Sequence, residues 1–227
     1  MEKFIHLDCC DSTQDVIKEQ LSLGHSGEMT VSCEQQLKGR GRGLNSWLDG
    51  AGTICFSMTI APHHQTSLTA LEISVLICNF FESKGKNIRL KWPNDLITPD
   101  RKKCGGILVQ NFQDQYFVGV GVNIFSSSPE FGGIFSELFP FVKKEWVTEL
   151  SNFLRTNRFT SSEMLIKDWS MKCIHLNEVV TITESDKKIR GIFKGLGNYG
   201  EALIETEHGT LKLFNGSLHL ENLVNFY

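Results

Sequence analysis

The 227-residue sequence lacks a strong charge of either sign and lacks any long apolar run. Its formal net charge of −3 gives the whole molecule no attraction for nucleic acid or anionic lipid, so any phosphate contact has to come from a local cluster. No stretch approaches the roughly 18 apolar residues of a membrane-spanning helix. The acidic first residues also lack the apolar core of a signal peptide. We therefore expect a cytoplasmic protein with no membrane partner.

The sequence also lacks the motifs of several common catalytic and metal sites. Its seven cysteines form no CxxC pair and its seven histidines form no HExxH motif, which argues against a disulfide framework and against a zinc site. A GxxxxGK[ST] phosphate-binding loop is missing as well. No metal ligand can be assigned with certainty from these residues.

The hydrophobic pattern predicts alternating strands and helices up to about residue 175 and a β-rich tail after it. Strands are expected at 4–7, 29–36, 53–60, 88–90, 107–110 and 116–124, and helices after Ser12 and at 67–84, 143–156 and 162–173. Apolar and polar residues alternate in 53–60, so we expect this strand to be buried on one face only. From residue 177, short β runs between turns predict a small barrel. The expected domains are 1–175 and 176–227.

The densest cluster of candidate ligand-binding residues lies in the aperiodic, glycine-rich segment 37–52, which we expect to be a loop. In the run 39–43, glycines alternate with Arg40 and Arg42, so the backbone can approach an anion while two guanidinium groups match its oxygens. Trp47 adds a flat face on which a base could stack. These features favour a nucleotide site, but a mobile surface turn or an RNA-binding element has the same composition. A ligand-binding loop of this kind should be mobile alone and ordered by its ligand.

A second cluster surrounds Pro93, which prevents the preceding strand from continuing. Lys91, Asn94 and Asp95 lie around this strand end, and side chains just beyond a strand end are well placed to line a site. A plain turn would use the same residue types, so both interpretations stay open for this cluster taken alone.

Two more clusters combine glycines with a polar residue near a strand. Lys103 precedes Gly105 and Gly106, which would let a ligand pack on the backbone within reach of the ammonium group; a turn lysine is the alternative. The run 119–123 has two glycines inside a predicted strand, and such glycines often mark the close approach of a ligand or of another backbone. Asn123 then offers a donor and an acceptor.

In this order, the clusters resemble the motifs of the biotin protein ligase family, and the resemblance covers nearly the whole chain. The individual motifs are weak, whereas the ordered set is specific. The matching elements are Ser12-Thr13-Gln14, the loop 36–42 with Trp47, the KWPND motif at 91–95, the KxGGIL motif at 103–108, the GxGxN strand at 119–123 and the β-rich tail.

The resemblance implies an α/β fold of the α+β type. Its catalytic domain would contain a mixed β-sheet backed by helices, as in class II synthetases and lipoate ligases, and a small SH3-like β-barrel would follow. The implied activity is the formation of biotinyl-5'-AMP from biotin and ATP with Mg²⁺. The biotinyl group would then pass to a lysine of the biotin carboxyl carrier domain of a carboxylase, with acetyl-CoA carboxylase as the expected one. A homodimer is also compatible with the family.

The resemblance also implies roles for individual residues. Lys103, Arg40 and Arg42 would be catalytic, because they offset the charge that develops when two anions react. The residues implied in biotin binding are Ser12, Thr13, Gln14, Gln36, Gly39, Arg40, Lys103, Gly105, Gly106, Gly119 and Gly121. The residues implied in binding ATP and the adenylate are Gly39, Arg40, Gly41, Arg42, Asn45, Trp47, Lys91, Asn94, Asp95, Lys103 and Asn123.

The chain departs from the family pattern in three places. Asp49 and Gly50 stand where the family loop usually has Ser-Pro, which would affect how the loop closes. Gln110 replaces a frequent glutamate, and the segment 218–221 replaces the usual Ser-Leu-Arg ending, so a nucleotide contact from the tail is not expected.

Three other functions are less consistent with the sequence. A lipoate or octanoate ligase would carry an Arg-Arg-x-Ser-Gly-Gly-Gly loop, which is absent. A DNA-binding regulator needs a further domain, whereas only eleven residues precede Ser12, so we expect no DNA partner. A biotin sensor without catalysis would not need Arg40, Arg42 and Lys103.

Overall fold

The computed structural model describes residues 2–184 and 187–221. Its first nine strands are β1 (Lys3–Cys10), β2 (Met29–Gln36), β3 (Gly39–Arg40), β4 (Ser46–Trp47), β5 (Thr53–Thr59), β6 (Arg89–Lys91), β7 (Asp95–Ile97), β8 (Lys103–Phe112) and β9 (Gln115–Asn123). The helices are α1 (Thr13–Ser22), α2 (Thr69–Glu82), α3 (Lys143–Thr156) and α4 (Ser162–Lys172). The remaining strands are β10 (Val179–Glu184), β11 (Lys187–Leu196), β12 (Ala202–Thr206), β13 (Gly209–Leu213) and β14 (Ser217–Leu220).

Seven strands form one mixed sheet in the order β1-β2-β5-β9-β8-β7-β6. β1 and β2 are parallel, whereas the other neighbours are antiparallel. Helix α1 packs on one face because Ile17 and Leu21 form an apolar stripe against Val31 and Phe117. Helices α2, α3 and α4 share the larger apolar core with strands of the sheet. The predicted mixed sheet backed by helices is confirmed.

Strand β5 is buried on both faces, so the prediction of a half-buried strand is wrong. Its apolar residues face the larger core, and its polar residues are buried on the opposite face, where Ser57 contacts the start of α1. There, Ser57 Oγ lies 2.8 Å from Thr13 Oγ1, and Thr59 Oγ1 accepts a hydrogen bond from Met29 N at 2.8 Å. The alternating pattern therefore marks two buried environments, one apolar and one satisfied by hydrogen bonds.

The last five strands form an antiparallel sheet in the order β13-β12-β11-β10-β14. This confirms a β-rich unit at the end of the chain. No pairing between β13 and β14 closes it into a barrel within residues 2–184 and 187–221. The domain boundary at residue 175 stays a prediction. Among the helices so described, none has the length and apolarity that a bilayer crossing requires.

Side-chain contacts join the two sheets. The Trp92 indole Nε1 donates a hydrogen bond to Gly200 O at 3.1 Å, and Arg101 forms an ion pair with Glu178. His175 is fully buried nearby, with its ring 4.3 Å from that of Phe193. Burial, together with the positive charges of Lys91 and Arg101, lowers the pKa of His175 to about 3.

This buried histidine should make the folded state sensitive to mild acid. An unfolded histidine titrates near 6.5, so between pH 6.5 and 3 the unfolded chain binds a proton that the folded chain does not. Stability is therefore complete above pH 6.5 and falls as the pH decreases. We expect wild type to lose about 2 kcal/mol from pH 7 to pH 5 relative to His175→Asn. Urea unfolding at both pH values measures this, with the exposed His208→Asn as control; equal pH dependence in all three proteins would contradict it.

Candidate active site

A cleft of about 730 Å³ lies over the face of the sheet formed by β5, β9 and β8. On β8 and β9, Gly106 stands opposite Gly121 and Leu108 stands opposite Gly119. On β5, the partner of Gly121 is Cys55. Because the two glycines of β9 project no side chain, the backbone itself forms part of the cleft floor. The Cys55 thiol beside it is neutral, since burial raises its pKa.

The start of α1 and the end of β2 form the inner wall of the cleft. Gln36 Oε1 accepts hydrogen bonds from Thr13 N at 2.8 Å and from Thr13 Oγ1 at 3.1 Å. Gln14 Nε2 donates to Leu108 O at 3.2 Å. The side chain of Gln14 lies where a Cβ at Gly119 would be, so it covers that part of the floor.

Three buried polar atoms that line this cleft have no hydrogen-bond partner among the described residues. They are Ser12 Oγ, Gln14 Oε1 and Trp47 Nε1. Ser12 stands at the N-cap position of α1, but its hydroxyl makes no capping hydrogen bond. Because buried polar groups are normally paired, Ser12 Oγ and Gln14 Oε1 are available to a ligand with its own donors and acceptors, whereas Trp47 Nε1 lies against the floor at Gly121.

The loop 37–52 forms a short hairpin over the cleft. Its strands β3 and β4 pair Gly39 with Trp47, and Gly41 N donates to Asn45 O at 2.8 Å across the turn. The Trp47 indole packs against the floor, because a Cβ built on Gly121 would be 2.5 Å from Trp47 Cε2. The glycine at 121 therefore provides the space that the indole fills.

Four cationic side chains and one carboxylate line the cleft. Asp95 accepts from Lys103 Nζ at 2.6 Å and from Lys91 Nζ at 2.9 Å. Arg42 donates to Asn94 Oδ1 at 3.3 Å. The fourth cation, Arg40, pairs with Asp15 of α1 at 2.9 Å. An anionic ligand would therefore compete with existing partners for these cations.

The charges around Asp95 favour an anion beside Lys91, Lys103 and Arg42. Burial alone would raise the pKa of Asp95, but the ammonium groups of Lys91 and Lys103 outweigh burial and hold that pKa below its usual value. Burial lowers the pKa of Arg42, although the charge of Asp95 opposes the shift, and an arginine side chain remains protonated in any case.

All but three of the predicted site residues line this one cleft. Gly39 instead packs closely against Trp47 within the hairpin, and the position of a Cβ on Gly105 is filled by Leu96 and the backbone of Gly121. Asn123 is buried farther along β9. Its Oδ1 accepts from Thr53 Oγ1 at 3.0 Å and its Nδ2 donates to Gly132 O at 3.3 Å, so its amide supports the protein rather than facing the cleft.

The cleft also has lining residues that the sequence analysis missed. Cys55 of β5 could have been found from the alternation along that strand, which places it on the same face as Ser57. Ser217, Leu218 and His219 line the cleft from β14, although the departure from the family ending at 218–221 argues against a nucleotide contact from this tail. The second sheet also reaches the hairpin directly, since Arg42 Nη2 donates to Gly216 O at 2.9 Å.

The described residues do not offer a protein cage for a metal ion. No group of three or more His, Cys, Asp or Glu side chains in those ranges is arranged to hold one. Asp95, the carboxylate that lines the cleft, is already engaged by two lysines.

Comparison with known proteins places the chain in a family. The Biotin/lipoate A/B protein ligase family profile matches residues 7–123, and the biotin protein ligase C-terminal domain profile matches 175–217. The chain belongs to the biotin/lipoate A/B protein ligase family. These matches, together with the relatives below, confirm the predicted enzyme class, a biotin protein ligase.

Individual relatives agree with this assignment. The bifunctional ligase/repressor BirA of Escherichia coli is 26% identical over 92% of the chain and 71% of that protein. Biotin–protein ligase 2 of Arabidopsis thaliana is 32% identical over 52% of the chain and 39% of that protein. The biotin protein ligase of Aquifex aeolicus, solved with biotin and ATP, is 26% identical and superimposes with a TM-score of 0.81 over 96% of the chain and 99% of that structure.

The contact between Trp47 and the floor predicts how a methyl group added at Gly121 or at Gly106 would affect the position of the indole. In Gly121→Ala, the Cβ would lie 2.5 Å from the indole, so the ring has to move. In Gly106→Ala the Cβ would lie 3.7 Å from Trp47 Cζ3, which is ordinary contact. We expect the ligand-free tryptophan emission to change in the first variant and not in the second. The change should vanish in a Trp47→Phe background; a change that persists there would contradict the contact.

Proposed function

We propose that this protein joins biotin to ATP as biotinyl-5'-AMP and transfers the biotinyl group to a lysine of a biotin carboxyl carrier domain. The observation that carries the proposal is the division of the cleft into two chemical halves. The unpartnered Ser12 Oγ and Gln14 Oε1 lie on the α1 side of the cleft, its inner end. Lys91, Lys103 and Arg42 gather around Asp95 and Asn94 at its outer end. The match to the Aquifex structure with biotin and ATP supports the same pair of ligands.

The inner end suits the ureido ring of biotin. That ring has one carbonyl acceptor and two N–H donors in an otherwise apolar bicycle. Ser12 Oγ can donate to the carbonyl, whereas Gln14 Oε1 can accept from an N–H. The Gln36 amide nitrogen is a further donor, since its Oε1 is held by Thr13. A few placed hydrogen bonds over a backbone floor are typical of small-molecule sites.

The outer end suits the reaction of two anions. An oxygen of the biotin carboxylate attacks the α-phosphorus of ATP, and the bond from that phosphorus to the pyrophosphate oxygen breaks. Lys103 and Arg42 can lower the repulsion between the reactants and stabilise charge on the phosphoryl oxygens. The magnesium ion enters with the nucleotide as part of the substrate. Asp95 holds Lys91 and Lys103 at this end before the ligands bind.

The second step requires no covalent enzyme intermediate. The carrier lysine attacks the carbonyl carbon of the adenylate, the carbon–oxygen bond breaks, and AMP leaves with the electron pair. Removing water from the cleft protects the mixed anhydride between the two steps. The hairpin 37–52 lies where it can cover the adenylate, and Arg42 links it to the second sheet.

The whole proposal is tested by mass spectrometry of a carrier domain incubated with the protein, biotin and MgATP. We expect the mass to increase by one biotinyl group, dependent on both biotin and ATP. A carrier domain whose acceptor lysine is replaced by arginine is the control and should stay unmodified. No mass change with any carrier, combined with no biotin-dependent exchange between ATP and pyrophosphate, would refute the proposed function.

Two substitutions should separate the two ends of the cleft. Lys103→Ala removes a contact that strengthens mainly as pyrophosphate leaves, so we expect adenylation to slow by about 10²–10³ while biotin affinity changes little. Gln36→Ala removes a contact to the ring and should weaken biotin binding first. Single-turnover adenylation and calorimetry measure the two effects. The neighbouring exposed Lys102→Ala is the matched control; a wild-type adenylation rate in Lys103→Ala would show that the arginines stabilise the charge without it.

A further inference from the structure

The two ends of the loop 37–52 lie side by side, where the chain leaves β2 and where it approaches β5. We call this region, residues 34–36 and 49–50, the neck of the loop. Asp49 reaches across this neck, and its Oδ2 accepts a hydrogen bond of 2.6 Å from Gln36 N. The Lys143 ammonium spans the same gap from α3, donating to Glu34 O at 2.5 Å and to Gly50 O at 3.5 Å. A carboxylate and an ammonium from distant parts of the chain therefore connect the two strands of the neck.

Neither group stands where stability alone would place it. Lys143 is only 8% exposed, and it is the first residue of α3, where the helix dipole disfavours a positive charge. Asp49 is half-buried, and burial raises its pKa, while the N–H groups of Gln36 and Gly50, the charge of Lys143 and the Cys55 thiol act in the opposite direction. Buried charged groups of this kind contribute little net stability, so a geometric role is the better explanation.

Gln36 is the residue that the neck holds, and it faces the inner end of the cleft. Asp49 fixes the backbone of Gln36, and Thr13 fixes its side-chain oxygen with two hydrogen bonds. With both points held, the direction of the Gln36 amide nitrogen is determined. β1 also holds this end of β2, since Leu37 N donates to Cys10 O at 2.9 Å. Loss of the Asp49 contact would therefore release the Gln36 N–H alone, and a local shift of this residue would redirect its side-chain amide although every cleft side chain is still present.

We infer that Asp49 and Lys143 are positioning residues that close the neck of the loop and thereby set Gln36 to hold biotin. This inference rests on the proposed function for the identity of the ligand. It assigns a role to Asp49, which stands where the family loop usually has Ser-Pro, and to Lys143, which lies outside the motifs of the sequence.

A double-mutant cycle decides whether Asp49 acts through Gln36. Calorimetry on the full chain gives the biotin dissociation constant of wild type, Asp49→Ala, Gln36→Ala and the double variant. We expect Asp49→Ala to weaken biotin about tenfold or more, because a charged acceptor is lost from a half-buried amide. In the Gln36→Ala background the same change should have less than about a threefold effect, since residues that act as one unit are not additive.

Further variants separate positioning from simple destabilisation. Asp49→Asn keeps an oxygen acceptor for Gln36 N and should recover most of the lost affinity. Lys143→Met should weaken biotin in the same direction as Asp49→Ala, whereas the adjacent exposed Lys144→Met is its matched control and should match wild type. If Asp49→Ala does not fold, Lys143→Met and its own cycle with Gln36→Ala provide the same test.

A readout without ligand keeps this inference distinct from the proposed function. In the ligand-free chain, hydrogen exchange at the Gln36 amide should be faster in Asp49→Ala than in wild type. If wild type fails to bind biotin, the proposed function is wrong, and the exchange rate still shows whether the neck is closed. Wild-type biotin affinity in Asp49→Ala, full additivity in the cycle, or unchanged exchange at Gln36 would each overturn the inference.

Discussion

The close approach of side chains to the backbone of β8 and β9 is the constraint on which the cleft depends. Gly106 and Gly121 are directly opposed in these strands, and Gly119 lies two residues along the same face. On this floor the indole of Trp47 and the amide of Gln14 contact the sheet itself. Val120, which lies between the glycines of β9, and the flanking Val118 and Val122 belong to the apolar core instead. One strand therefore contributes packing on one face and a binding surface on the other.

The sequence predicted much of the fold because helix and strand periodicity are local. The predicted helix 143–156 has the bounds of α3, and the predicted strand 29–36 has those of β2. The three-residue strand β7 is too short to give a periodic pattern, and its hairpin with β6 contains the turn at Pro93. The burial of β5 on both faces depends on α1, whose position no pattern within β5 can report.

The candidate site was predictable to the extent that its residues lie in ordered motifs. Composition could not distinguish Asn123, which supports the backbone near Gly132, from residues that face the cleft. The wall formed by Ser217 and His219 comes from a separate sheet, so it depends on how the two sheets pack. Long-range hydrogen bonds could not be predicted either, since Lys143 donates to Glu34 O across more than a hundred residues of sequence.

The cations of the cleft are paired before any ligand binds, and this bears on catalysis. Lys103 is held by Asp95, and Arg42 is held by Asn94 and Gly216. A ligand has to exchange these contacts for its own, so part of its attraction to the cations is offset in the ground state. In the proposed reaction, the exchange would become more favourable as charge accumulates on the phosphoryl oxygens. Held cations are also already oriented, so less reorganisation is needed when the bond to pyrophosphate breaks. In the proposed reaction, the pairing would therefore favour the transition state over the bound substrates.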